Sequence, residues 1–243
     1  MSSEFSTANR AWWDQDAHHY HESHKNYLSS FYWCPEMLHE KDARLLGDVR
    51  NKRVLEIGCG SASCTRWLEG QADLAVGFDL SMGMLRHGSG NLVQANALEM
   101  PFADEAFDVA FSAFGAIPFV ESSVDVLREA VRVVKPGGRF VMSINHPMRW
   151  IFADDPESFE VQFSYFDRSG YVEVAGGEVT YAEQHRTMGD RIRELLQVGF
   201  VIDDVIEPEW PEGLTENWGQ WSPMRGKVFP GTVIFVSHKP YLF

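Results

Sequence analysis

The chain has 243 residues, of which 44% are hydrophobic and 13% aromatic, so it can bury a substantial core and is not a disordered protein. Its formal net charge is −14, concentrated after residue 150, which argues against a nucleic-acid partner because no basic stripe is present to contact phosphates. Three cysteines without framework spacing, no signal sequence and no long apolar run predict a cytoplasmic protein without a membrane partner.

The first part of the chain is predicted to be helical and then to alternate strands with helices. Residues 5–48 have a helical pattern that ends near Gly47. Short apolar runs that follow predict strands buried on both faces. These runs are Arg53–Ile57, Leu74–Asp79, Asn91–Ala95, Phe107–Ser112 and Arg139–Ile144. Strands that alternate with helices indicate βαβ units and a parallel sheet.

The pattern changes after residue 150. Residues 159–165 alternate between apolar and polar, which predicts a strand with one apolar face. The runs Tyr171–Val174 and Glu178–Tyr181 flank Ala175-Gly176-Gly177, which indicates a hairpin. We therefore expect an antiparallel insertion that lies over the sheet.

The C-terminal part is predicted to add a helix and two strands. Thr187 and Asp190 have the spacing of a capping box at a helix start, and Gly199 ends that helix. Phe200–Ile206 and Thr232–Ser237 are predicted strands. Between them lies a loop of a length that is usually functional, such as a lid.

A glycine turn and an acid indicate a nucleoside-like ligand. Gly58-x-Gly60 follows the first strand, and Asp79 ends the second. A dinucleotide fingerprint would have a third glycine where Ser63 stands, and Glu56 would place negative charge beside its phosphates. The turn therefore suits a cationic or zwitterionic ligand better, and S-adenosylmethionine (SAM) has an ammonium, a sulfonium and no phosphate.

Five motifs in order resemble the class I SAM-dependent methyltransferases of the small-molecule type 11 family. They read VLEIGCGSASCTRWL, GFDLSMGML, ANALEMPFADEAFDVAFS, EAVRVVKPGGRFVMS and LLQVGFVIDDVIEP. The likeness covers residues 52–144 firmly and 188–238 loosely. It implies an α/β fold with a Rossmann-like, seven-stranded, mostly parallel sheet and a reversed last strand, an N-terminal helical cap, and an antiparallel insertion after strand five.

The predicted organisation is a single domain over residues 1–243. Residues 1–50 would form the helical cap, 51–150 the SAM-binding core, 151–187 the insertion or lid, and 188–243 the C-terminal helix with the last two strands. The function that the resemblance implies is methyl transfer from SAM to an O, N, S or C nucleophile of a small molecule.

The resemblance also implies cofactor-binding residues. By position in the motifs they are Gly58, Cys59, Gly60, Asp79, Leu80, Met84, Asn96, Ala97 and Ser112. Tyr20 belongs to a segment that resembles the lid helix of such enzymes, and it could hydrogen-bond the cofactor carboxylate. Asp79 would accept hydrogen bonds from the ribose hydroxyls, and Ser112 would face the sulfonium with its backbone or its hydroxyl. Asn96 stands where the family often has Asp, but an amide still offers an acceptor and a donor to adenine.

Sequence is less informative about catalysis, because the methyl sulfonium is already activated and a base is needed only for a protonated nucleophile. His146 and His185 are the candidate bases, since an unperturbed histidine titrates near neutral pH. The alternative is that both are structural or surface side chains. Arg149 and Arg186 could hold a substrate carboxylate, although arginines at the ends of elements are often only solvated.

Aromatic residues at two places suggest a lined pocket. Trp12 and Trp13 resemble part of a lid helix, and the alternative is that they belong to the core. Trp210, Trp218 and Trp221 would suit an apolar or cationic acceptor, and a homodimer contact explains them as well. The histidines near residue 20 have no further ligand at a fixed offset, so no metal site is predicted.

Three other functions compete with small-molecule methyl transfer. One is a nicotinamide-dependent oxidoreductase on a Rossmann sheet, against which Ser63 and Glu56 argue. Another is a non-catalytic SAM-binding protein, which a broken glycine turn would favour, but this turn is intact. Nucleic-acid methylation is disfavoured by charge and by the apolar run 112–115 after the fourth strand.

Overall fold

The computed structural model describes residues 4–241. Its strands are β1 (Arg53–Ile57), β2 (Leu74–Asp79), β3 (Asn91–Gln94), β4 (Phe107–Ala113), β5 (Val134–Asn145), β6 (Tyr171–Ala175), β7 (Glu178–Glu183), β8 (Val201–Ile206) and β9 (Thr232–His238). Its helices are α1 (Glu4–Ser23), α2 (Glu40–Ala43), α3 (Ser63–Leu68), α4 (Met82–Leu85), α5 (Ser123–Val133), α6 (Met188–Val198) and α7 (Pro223–Gly226). Short 3-10 turns occupy Tyr27–Ser29, Ile117–Phe119 and Pro147–Ile151.

Seven strands form one sheet in the order β3-β2-β1-β4-β5-β9-β8. β1 to β5 pair in parallel, whereas β9 is antiparallel to both β5 and β8. The predicted Rossmann-like sheet with a reversed last strand is therefore confirmed. The chain moves outward from β1 in one direction through β2 and β3, and then in the other through β4 and β5. Loops diverge at such a reversal and leave a crevice at the carboxyl ends of the strands.

The central strands are buried on both faces, as their continuous apolar sequence predicts. Along β4, Val109 and Phe111 pack against one side with the fully buried Trp33. Ala110 points to the opposite side, where it joins a second cluster that includes Leu127 of α5. Both faces of the sheet are therefore covered, and the carboxyl edge remains as the place for a site.

Several local predictions agree with the structure residue by residue. β1 and β2 have the predicted bounds, and the hairpin is formed by β6 and β7. The side chain of Thr187 accepts from the N–H of Asp190, and the Asp190 carboxylate accepts from the N–H of Thr187, each at 3.1 Å. Gly199 ends α6 in the left-handed region with φ 101°. Local signals suffice here because the stabilising contacts lie within a few residues of each other.

The helical prediction for residues 5–48 is correct only in part. α1 ends at Ser23, and between it and residue 48 only the 3-10 turn Tyr27–Ser29 and α2 are helical. Phe31 and Trp33 are fully buried against the sheet, which an extended turn-rich segment achieves and a continuous helix would not. Among residues 4–241, no helix combines the length and apolar character needed to span a membrane.

The strand predicted over residues 159–165 is wrong. The segment makes a single bridge, from Val161 to Phe152, and no ladder. Phe159, Val161 and Phe163 are 45%, 62% and 53% exposed, so the alternating pattern has no core to face. Apolar and polar residues do alternate in this segment, but a strand also needs a partner edge. The strands of the insertion are β6 and β7, which pair with each other.

Candidate functional site

A cavity of about 920 Å³, open mouth included, lies at the carboxyl ends of β1, β2 and β4. The turn after β1 forms its floor, and side chains of α1 cover it. Nine of the residues predicted to bind a cofactor line this cavity: Tyr20, Gly58, Cys59, Gly60, Asp79, Leu80, Met84, Asn96 and Ala97.

The turn after β1 needs glycine for two physical reasons. Gly58 and Gly60 have φ values of 70° and 53°, in the region where side chains are strained. A Cβ on Gly58 would also lie 2.4 Å from the backbone nitrogen of Ala116. Gly58 thus lets the loop after β4 approach the turn. Both glycines leave backbone exposed at the cavity floor.

Asp79 organises the same turn from the end of β2. Its Oδ2 accepts from the N–H of Gly60 at 2.8 Å, and its Oδ1 accepts from the N–H of Ser81 at 2.8 Å. Burial raises the pKa of the Asp79 carboxyl above its usual value. The carboxylate is therefore oriented at the cavity wall, with remaining lone pairs for hydroxyl donors.

Glu56 lies under the turn and is only 3% exposed. It accepts from the backbone N–H of Thr65 at 2.8 Å and from the Thr65 hydroxyl. Burial raises the pKa of Glu56 to about 7, against the opposing effect of those hydrogen bonds. A cationic group in the cavity would stabilise the ionised form of this carboxyl, whereas a phosphate would be repelled by it.

Ser61 is a cavity residue that sequence reasoning missed. It is 2% exposed, and its hydroxyl has no hydrogen-bond partner among residues 4–241. A buried hydroxyl without a partner is costly, so its place in the cavity wall suits a ligand contact. A serine in a turn is common, and no sequence signal distinguishes this one from a serine that merely faces solvent.

Asn96 lines the far end of the cavity beside Ala97. Its oxygen accepts from the N–H of Leu98 at 3.0 Å, and its amino group donates to Ser6 at 3.3 Å. The amide is thus partly engaged by the protein, and one N–H and one lone pair remain for a ligand.

Helix α1 covers the cavity and is fastened at Asn9. The Asn9 amino group donates to the carbonyls of Phe119 at 2.7 Å and Ala182 at 2.9 Å, and its oxygen accepts from the Ala182 N–H. Trp13 of the same helix lines the cavity and lies 5.5 Å from the ring of Tyr20. Side chains of α1 therefore cover part of the cavity, and we refer to this helix as the lid.

Ser112 is the predicted cofactor-binding residue that is not among those lining this cavity, and its contact with the sulfonium stays a prediction. Its side chain is fully buried, and its hydroxyl donates to the carbonyl of Ile57 at 2.9 Å. The hydroxyl thus joins the ends of β4 and β1. The next three residues, Ala113 to Gly115, line the cavity.

The two candidate bases also lie outside the main cavity. His146 Nε2 is 2.9 Å from the Glu207 carboxylate, and its Nδ1 accepts from the Met148 N–H. His185 Nε2 is 2.8 Å from the carbonyl of Tyr165, and its ring stacks on Trp150. Both line a separate, smaller cavity. Their hydrogen bonds and stacking favour the structural alternative for both.

The other predicted features of the lid are also located. His21 stacks on His87 with ring centroids 4.7 Å apart. Within the described part of the chain, no group of three or more His, Cys, Asp or Glu side chains is arranged to hold a metal ion. Trp218 of the late loop packs against His24 and Tyr27, with centroids 4.1 and 4.6 Å away. The late loop is thus joined to the lid segment.

Comparison with known proteins identifies what the core resembles. Residues 55–142 match the family model described as a methyltransferase domain. A demethylmenaquinone methyltransferase of Corynebacterium kroppenstedtii is 40% identical over 94 residues, which are 37% of this chain and 41% of that protein. One of Bacillus subtilis is 30% identical over 146 residues, 55% of this chain and 59% of that protein. The chain spans about half the length of these curated relatives.

Solved structures extend the likeness over most of the chain. A candidate SAM-dependent methyltransferase of Listeria monocytogenes is 25% identical with a TM-score of 0.68, and the match covers 83% of this chain and 96% of that one. A 1,6-didemethyltoxoflavin-N1-methyltransferase of Burkholderia thailandensis has the same fold, with a TM-score of 0.61 and 15% identity over 99% of this chain and 91% of that one.

Proposed function

We propose that this chain is a class I SAM-dependent methyltransferase of the type 11 family, and that it transfers a methyl group from SAM to a small molecule. The observation that carries the proposal is the cavity in which the glycine turn, the Asp79 carboxylate and the Ser61 hydroxyl meet under helix α1. Each of these groups is polar, partly or fully buried, and directed at one space.

The groups that line the cavity fit SAM in their charges and in the room that they leave for it. The bound cofactor would supply a methyl group that is already activated by its sulfonium. Asp79 would hold the ribose hydroxyls, and the turn at Gly58 and Gly60 would admit the methionine part against backbone. Glu56, ionised beside an ammonium, would add attraction, and Trp13 would exclude water from the reacting atoms.

The rival functions have less support. A dinucleotide would place its phosphates over the buried Glu56, whose ionised carboxylate would repel them. A non-catalytic SAM-binding protein differs only in turnover, so formation of S-adenosylhomocysteine with an acceptor separates it from an enzyme. The small-molecule acceptor, the lack of a nucleic-acid partner, a homodimer and a cytoplasmic location stay predictions from sequence.

The matching domain covers residues 55–142, which build the cofactor side of the cavity. The residues beyond it, in the insertion and the late loop, would shape the acceptor side. We propose the predicted division accordingly: a helical cap over 1–50, a SAM-binding core over 51–150, an insertion over 151–187, and a C-terminal part over 188–243.

The test is calorimetric titration with S-adenosylhomocysteine. Asp79→Ala removes a charged acceptor whose hydrogen bonds contribute about 1.5–3 kcal/mol each, so we expect affinity to fall at least about tenfold. Asp73→Ala, just before the amino end of the same strand, is the matched control and should bind as the unmodified protein does. Unchanged affinity in a folded Asp79→Ala variant would show that the site assignment is wrong.

A further inference from the structure

The proposed function requires an acceptor site next to the cavity, and an aromatic wall marks one side of it. Phe114 and Phe119 line the cavity. Behind them lie Trp221, 5.5 Å from the ring of Phe114, and Tyr181, 6.2 Å from the ring of Phe119. We refer to these four side chains as the aromatic wall. It stands beyond the carboxyl ends of β4 and β5, where a methyl acceptor would enter.

A buried arginine lies against this wall. Arg149, in the 3-10 turn after β5, is 7% exposed, and its guanidinium carbon is 4.5 Å from the centre of the Trp221 ring. Its contact with the Glu183 carboxylate is long, at 3.4 Å. Its Nε has no hydrogen-bond partner among residues 4–241. A guanidinium with an N–H left unpaired in the interior is unusual, because burial of charged donors is costly.

The neighbouring Arg225 shows how a purely structural arginine behaves in the same region. It is 2% exposed and donates to the carbonyls of Ala153, Asp155 and Ser158 at 2.6 to 2.9 Å. Its Nε and terminal nitrogens are therefore used by the protein itself. Arg149 is also buried, but its Nε has no such partner among residues 4–241, so packing alone does not explain its position.

The Glu183 carboxylate satisfies the charge and the hydrogen-bond donors of the Arg149 guanidinium only in part. The same carboxylate also accepts from the side-chain amide of Asn145 and, at 3.4 Å, from the hydroxyl of Tyr181. One carboxylate thus serves three donor groups, and the Arg149 guanidinium retains hydrogen-bonding capacity. An additional anionic oxygen would complete its shell, and a planar ring attached to that oxygen would lie along the aromatic wall.

We propose that Arg149 anchors the methyl acceptor, and that the acceptor is a planar aromatic acid. This inference rests on the proposed methyl transfer at the adjacent cavity. The guanidinium would bind the carboxylate by charge-assisted hydrogen bonds, and the aromatic wall would hold the ring beside the reacting methyl. Arg149 is then a positioning residue for the acceptor, and it takes no part in SAM binding.

The test compares two probes that differ in one carboxylate. Calorimetry with the protein saturated with S-adenosylhomocysteine would measure 1-hydroxy-2-naphthoate, an anion, and 1-naphthol, which is neutral at pH 7. We expect the naphthoate to bind at least about tenfold more tightly, because one hydrogen bond to a charged group contributes that much. Equal affinities, or no naphthoate binding while S-adenosylhomocysteine binds, would overturn the inference and leave the proposed function standing.

Variants assign the preference to Arg149. The double variant Arg149→Met with Glu183→Gln removes both charges, so no uncompensated carboxylate stays buried. It should lose the preference for naphthoate and keep its affinity for S-adenosylhomocysteine. Arg149→Lys, which retains the charge, should keep part of the preference. Retention of the full preference in the double variant would overturn the proposal.

A matched control removes the same kind of buried pair elsewhere. Arg191 of α6 is 3% exposed and donates to Glu194 at 3.0 Å. Arg191→Met with Glu194→Gln therefore imposes a similar change in charge on a buried pair that includes neither Arg149 nor a residue of the aromatic wall. It should leave both the naphthoate preference and S-adenosylhomocysteine affinity unchanged. Loss of the preference in this control as well would attribute the effect to general destabilisation and overturn the role of Arg149.

Discussion

At the scale of single residues, Glu56 connects the stability of the fold to the charge of its ligand. Its carboxyl sits below the glycine turn, and burial raises its pKa from 4.5 to about 7. A group whose folded pKa is raised stabilises the fold fully below the unfolded pKa, and that contribution is lost as pH rises through the folded pKa. Glu56 therefore costs stability progressively between about pH 4.5 and pH 7.

Glu56→Gln should remove this pH dependence. The glutamine oxygen can still accept from Thr65, so the variant loses only the ionisation. We expect its unfolding free energy, relative to the unmodified protein, to improve between pH 5 and pH 8 by at most about 3 kcal/mol, from about 1.4 kcal/mol per pKa unit. Thermal or urea unfolding across this range measures it, with the exposed Glu99→Gln as control. Parallel pH profiles for the Glu56 variant and the unmodified protein would contradict it.

Ser112 joins two strands at a position for which the motif predicts a cofactor contact. Its hydroxyl satisfies the carbonyl of Ile57, which ends β1. Ser112→Ala should lower the free energy of unfolding by about 1–3 kcal/mol, because a buried carbonyl loses its donor, with unchanged affinity for S-adenosylhomocysteine. Chemical denaturation and calorimetry give both quantities. Weaker binding at unchanged stability would support its predicted contact with the cofactor.

At the scale of elements, the lid depends on a few polar contacts. Asn9 of α1 is 2% exposed and makes three hydrogen bonds to the backbone of residues more than a hundred positions away. Asp14 of the same helix accepts from the hydroxyl of Ser81 at 2.6 Å and the N–H of Gly83 at 2.7 Å. The helix is thus fastened on both sides of the cavity, and its opening requires these bonds to break together.

Asn9→Ala should loosen the lid. The substitution leaves a buried N–H and two carbonyls without their partner, which costs about 1–3 kcal/mol for each unsatisfied group. We expect faster amide hydrogen exchange in residues 5–23 and weaker binding of S-adenosylhomocysteine, with little change in the exchange of β1 and β4. Gln15→Ala, on the exposed side of α1, is the control. Uniform acceleration of exchange across the sheet would argue for global destabilisation instead.

At the scale of the whole molecule, charge and topology act separately. The topology places the cavity where the strand order reverses beside β1. The antiparallel β9 lies farther along the sheet, between β5 and β8. The net charge of −14 does not affect this arrangement, but it sets the long-range field. An acceptor that is an anion must therefore be recognised at short range, by a buried group such as Arg149.

The same charge predicts no binding to nucleic acid. Polyanion binding depends on the release of counterions by clustered basic residues, and this chain has 21 basic against 35 acidic residues. We expect no retention on heparin and no shift of duplex DNA or transfer RNA in gels at about 50 mM salt, a concentration at which such binding is strong. Specific retention that falls steeply with salt would contradict this expectation.

Much of the fold follows from local sequence patterns. β1 and β2 could be bounded to the residue, and the capping box at Thr187 and the hairpin at Gly176 could be located, because each depends on neighbours along the chain. The segment 159–165 shows the limit of such patterns. An alternating sequence specifies which side chains share a face, but a strand forms only where the fold supplies a partner edge.

The sequence by itself determined the class of sheet, the glycine turn and the acid at the end of β2, since spacing and chemistry within short motifs carry that information. Only the tertiary structure decided which polar groups are already used. Ser112 and His185 proved to have protein partners, whereas Ser61 and the Nε of Arg149 have none among residues 4–241. Hydrogen-bond partners and burial depend on residues far apart in the chain, and these contacts arise only when the sheet, the lid and the late loop pack together.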